Sequence, residues 1–84
     1  MSANTTTATR YELVVTKSDE DDLMPTYEVF IYRYIYAGIC GPFTEAETVV
    51  GGGGYVDYAS RWGFRIDGFP KVHGDTATFE LVKA

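Results

Sequence analysis

The chain has 84 residues, 45% of them apolar and 23% charged, values of a globular domain and not of a disordered segment. A single domain of this length, spanning 1–84, buries roughly 60–65% of its unfolded surface, which leaves no room for a second domain or a deep catalytic cleft. The net charge of −5 argues against direct binding to a nucleic-acid backbone and suits solubility or a basic partner.

Residues 1–8 are small and polar and are expected to form a loose N-terminal tail. The first ten residues lack the apolar core of a signal peptide. No apolar run approaches the ~20 residues of a membrane span, and a lone cysteine, Cys40, suits a reducing compartment. A cytoplasmic location with no membrane contact is the expectation.

Residues 10–16 predict a first strand with Tyr11, Leu13 and Val15 on one face and Glu12, Val14 and Thr16 on the other. Residues 17–26 form a connector holding Asp19, Glu20, Asp21 and Asp22. Contiguous carboxylates cannot pack in a core, so the connector is an exposed loop. It also lacks the alternating ligands and glycine of a calcium loop.

Residues 27–36 carry Tyr27, Tyr32, Tyr34, Tyr36, Phe30 and three β-branched aliphatics with no Gly or Pro. That composition predicts a strand. Val29, Ile31 and Ile35 share one face; Phe30, Tyr32, Tyr34 and Tyr36 share the other. Neither face is polar, so the strand belongs inside an antiparallel sheet, with a helix over one face and the tyrosine face partly solvated or against a partner.

Thr44 and Glu47 match a capping box. From there helical periodicity favours one helix over residues 44–62, with Val49, Gly52, Val56 and Ala59 on the sheet-facing stripe, Gly52 in close approach, and an Asp57–Arg61 pair on the opposite face. The run Gly51-Gly52-Gly53-Gly54 opposes this, at about 1 kcal/mol per glycine. The rivals are a hairpin pairing residues 47–50 with 55–58, or two short helices. Residues 64–67 then predict a short strand, 68–75 a turn region, and 76–83 a last strand with Ala77, Phe79 and Leu81 inward. The expected fold is α+β: a four-stranded antiparallel sheet with one helix on one face, in the order β-β-α-β-β.

No constellation with a chemistry emerges. His73 is the only histidine and reads as a solvated turn residue, because a metal site needs several converging ligands. Cys40 has no cation nearby in sequence to activate it and reads as a small buried side chain. The glycine run lacks the Gly-Lys-Ser/Thr of a phosphate loop. No catalytic residue, cofactor or metal is expected.

Gly41-Pro42-Phe43-Thr44-Glu45-Ala46-Glu47, then a helix, then Trp62-Gly63-Phe64 resembles small domains of bacteria and phages. In size, charge and architecture the whole chain resembles phage-encoded anti-CRISPR proteins. That resemblance implies a non-enzymatic inhibitor that occludes a nucleic-acid-binding surface of a partner, and it assigns no residue a role. With the composition, it gives the expected function: a protein-interaction module docking Asp19, Glu20, Asp21 and Asp22 with Tyr32, Tyr34 and Tyr36 on a basic surface. The alternative is a small-ligand or nucleic-acid-binding module in which the aromatic face stacks on its ligand.

Overall fold

The computed structural model describes residues 9–18, 25–35 and 40–84. Six strands and one helix follow in the order β1 (Thr9–Lys17), β2 (Thr26–Ile35), β3 (Gly41–Pro42), β4 (Glu47–Val50), α1 (Gly51–Arg61), β5 (Phe64–His73) and β6 (Thr76–Lys83). The strands form one sheet in the order β3-β2-β1-β6-β5, with β4 also pairing β2. All pairings are antiparallel. The α+β class stands, but the sheet has six strands where four were expected.

The first two strands and the last lie where alternation placed them. In β1, Leu13 and Val15 are buried; in β2, Val29 and Ile31; in β6, Phe79 and Leu81. With Val49, Tyr58, Ala59 and Phe64 they make the core, and Tyr11, Tyr27, Tyr55, Ile66 and Ala77 pack against its rim. One sheet face and one helix thus enclose the apolar interior, as amphipathic layers must.

The helix is shorter than the periodicity suggested. It begins at Gly51, and residues 47–50 are a strand on the edge of β2. Gly51 has φ +70°, a conformation that glycine adopts without strain. It turns β4 into α1 with no intervening loop, and its N–H donates to the Pro25 carbonyl at 2.9 Å. The remaining glycines occupy the first turn, where amide donors lack intrahelical acceptors in any case, so their cost there is tolerable.

The buried helix residues are Tyr58 and Ala59, while Val56 and Gly52 of the expected stripe face solvent. Gly54, not Gly52, is the close approach: a Cβ there would lie 3.0 Å from Cβ of Val49. Arg61 does not pair with Asp57; it meets Glu47 of β4 at 2.8 Å.

The Thr44–Glu47 signature serves another purpose. Residues 43–46 leave the edge of β2 between β3 and β4. There the Ile31 N–H donates to the Thr44 hydroxyl oxygen at 2.8 Å, and the Phe43 N–H donates to the Ile31 carbonyl at 2.7 Å. From the helix, the Tyr58 hydroxyl donates to the Thr44 hydroxyl at 2.7 Å and lies 2.9 Å from the Glu45 carbonyl. A side chain thereby supplies the ladder partner that the bulging backbone withdraws, as buried polar groups require.

The expected turn over 68–75 is mostly strand. β5 continues to His73 through an irregularity between Asp67 and Lys71, where Gly68 has φ +79°. Cys40 is exposed, not buried. The expected tail over residues 1–8, the acidic run Asp19, Glu20, Asp21 and Asp22, and Tyr36 lie outside the described residues.

Candidate interaction face

Among the described residues the only helix covers one face of the sheet. Strand alternation sends Phe30, Tyr32 and Tyr34 to the opposite face, where they are half-buried. The Tyr32 and Tyr34 rings are tilted neighbours with centroids 4.8 Å apart.

The register sets a row across this face: Pro42 of β3, Tyr32 of β2, Glu12 of β1, Glu80 of β6 and Asp67 of β5. Three carboxylates therefore stand on adjacent strands. Arg10 offsets two of them, at 3.4 Å from Glu12 and 3.6 Å from Glu80. Its guanidinium carbon also lies 4.5 Å from the centroid of the Tyr34 ring, within cation–π range. Glu12 is only 8% exposed. A carboxylate is rarely buried without a partner, and here Arg10 supplies one.

Burial raises the pKa of the Tyr34 phenol above its ordinary value, and the hydrogen bond to the Glu12 carboxylate adds to that shift. The phenol is thus held as a neutral donor, which suits a contact surface better than a nucleophile.

Beside this face, Phe30, Pro42, Phe43, Thr44, Glu45 and Ala46 line an open depression of about 490 Å³. On the helix side, Phe43 gathers a second aromatic group with Tyr11, Trp62 and Phe64 at 5.2, 6.3 and 6.4 Å between centroids. No group of three or more metal-ligating side chains occurs among the described residues. His73 is exposed at the end of β5, as expected of a solvated residue. None of the helices among the described residues is long and apolar enough to cross a membrane.

Tyr32 and Tyr34 come together, while Ser18 and Thr26, the described residues that flank the acidic run, lie toward the far end of β1 and β2. Ser18 and Thr26 are bonded backbone to backbone at 3.0 Å. Tyr32 pairs with Glu12, six residues back along β1, a distance of roughly 20 Å at strand rise. The carboxylate paired with Tyr32 is Glu12, with Glu80 and Asp67 on the next two strands, none of them singled out from sequence. Alternation alone would have put Glu12 on the tyrosine face; bringing Glu80 beside it required the pairing of β1 with β6, more than 60 residues apart, and Asp67 joins Glu80 through the β5–β6 pairing.

Comparison with family models, curated proteins and solved structures finds no match to this chain.

Proposed function

We propose that the chain is a non-catalytic, cytoplasmic interaction module that inhibits a partner protein by docking its open sheet face on a basic surface. The observation that supports this reading best is the Tyr32–Tyr34 pair, half-buried on a face that no layer covers among the described residues and bordered by an acidic row. Tyrosine supplies large contact area with little conformational entropy to lose and is enriched among residues that dominate binding energy. The row of Glu12, Glu80 and Asp67, with the overall charge of −5, favours a basic partner. In the same reading Asp19, Glu20, Asp21 and Asp22 accelerate encounter, because rim charges act mainly on association rate. The anti-CRISPR resemblance names the partner class: an effector whose basic surface otherwise holds nucleic acid.

The test is capture of partners from nuclease-treated host lysate by the wild type and by a Tyr32→Ala/Tyr34→Ala variant of unchanged thermal stability. A captured protein should bind the variant on the order of 30-fold more weakly or worse, the loss expected for a hot-spot residue. Replacing Asp19, Asp21 and Asp22 with Asn should slow its association and flatten the salt dependence. Capture that disappears with nuclease would favour the nucleic-acid-binding alternative. Equal binding by wild type and tyrosine variant would place the interface elsewhere.

A further inference from the structure

The outer edge of β5 is unpaired among the described residues, and its backbone pattern can be read from β6. The Ala84 N–H donates to the Gly63 carbonyl at 3.0 Å, and the pairing of Phe64 with Lys83 and Arg65 with Val82 continues that register. Antiparallel ladders alternate. Arg65 and Asp67 therefore bond inward to β6, and the amides and carbonyls of Phe64 and Ile66 point outward.

We propose that this edge pairs with the same edge of a second copy, antiparallel, about a two-fold axis at Ile66. The two Ile66 residues then exchange both of their outward backbone bonds. Arg65 falls opposite Asp67 of the second copy, and Asp67 opposite its Arg65. These are non-hydrogen-bonded pairs, in which side chains come closest. Charge selects this register over its neighbours: an axis at Arg65 sets the two arginines against each other, and an axis at Asp67 does the same to the aspartates. Neither Arg65 nor Asp67 has an ion-pair partner within 4 Å among the described residues, and Asp67 already stands beside another acid, Glu80.

Apolar surface agrees with charge. Trp62 is 49% exposed and Phe69 is 96% exposed, and the Ile66 axis brings Phe69 and Pro70 level with Gly63 and Trp62 of the second copy. One aromatic pair closes each end of the contact. The irregularity at Gly68, and Pro70 beyond it, limit the paired stretch to residues 65–67 and keep the edge from templating open-ended growth. The result is a closed dimer with one continuous sheet, both helices on one side and both open faces on the other. It rests on the β5 edge and not on the Tyr32–Tyr34 pair; Asp67 belongs to both surfaces, so sedimentation reads the dimer and the tyrosine variant reads the face.

The experiment measures dimer dissociation by sedimentation of the full chain over a range of concentrations, with circular dichroism as the check on folding. Wild type should dimerise. Asp67→Arg and Arg65→Asp should each weaken the dimer by about tenfold or more, because two attractive cross-strand pairs become repulsive. The double variant Arg65→Asp/Asp67→Arg restores complementarity and should return to within about threefold of wild type. A wild type that stays monomeric to about millimolar concentration would overturn the proposal. So would a dimer indifferent to the single reversals, or a double variant no tighter than either single.

Discussion

Between β3 and β4, residues 43–46 leave the sheet edge, and the gap is filled from within: the Thr44 hydroxyl takes the Ile31 amide, and the buried Tyr58 hydroxyl clamps it from the helix. In β5, the irregularity between Asp67 and Lys71 receives no such support among the described residues, and Phe69 stands almost wholly in solvent. Both interruptions bend an edge and end a run of pairing. The first is a joint that ties the helix to the sheet. The second holds an aromatic ring outward at no benefit to the core. A bulge is structural when another element reaches it, and a display when none does.

The largest effect is expected at Thr44. Thr44→Val keeps the shape but leaves the Ile31 N–H without an acceptor and the Tyr58 hydroxyl with only the Glu45 carbonyl. The loss should be about 2–3 kcal/mol in urea unfolding, the cost of orphaning buried donors. A loss below about 0.5 kcal/mol would mean that the hydroxyl does not hold this joint. The glycines of the helix sharpen the same contrast. Gly54→Ala should destabilise by about 1 kcal/mol net, since crowding against Val49 outweighs the helix-propensity gain. Gly53→Ala meets open space and should stabilise by up to about 1 kcal/mol. Equal signs for the two in thermal melts would contradict the Gly54–Val49 approach. The smallest effect belongs to the second bulge: Phe69→Ala, measured at concentrations where the chain is monomeric, should shift unfolding free energy by no more than about 0.5 kcal/mol.

Alternation made three strands legible, because Leu13, Val15, Val29, Ile31, Phe79 and Leu81 each recur at the period of a pleated face. The helix was misread at its start. Thr44 and Glu47 have the spacing of a cap, yet each is used by a residue distant in sequence: Thr44 by Ile31 and Tyr58, Glu47 by Arg61. Local spacing cannot report such partners. The cost of the glycine run was outweighed by periodicity in favour of one helix over 44–62; its place is the strand-to-helix junction and the first turn of α1. Turn residues Gly68 and Pro70 masked the continuation of β5, since a bulge and a turn share the same composition. Tyr32 and Tyr34 were legible as a face, but the acids beside them depend on a register that no short window contains.

That register has a kinetic consequence. β1 and β2 form one hairpin and β5 and β6 another, and the two halves are joined along the β1–β6 seam, where the Thr16 and Thr76 hydroxyls meet at 3.2 Å. Each half can assemble from neighbouring chain, whereas the seam must close a loop of about 60 residues before any contact rewards it. Folding is therefore expected to be limited by the meeting of the halves. Trimming Val15 to Ala at the seam should slow folding in stopped-flow measurements more, per unit of stability lost, than trimming Val49 to Ala on β4. The reverse order would show that the sheet nucleates at its short edge and grows inward.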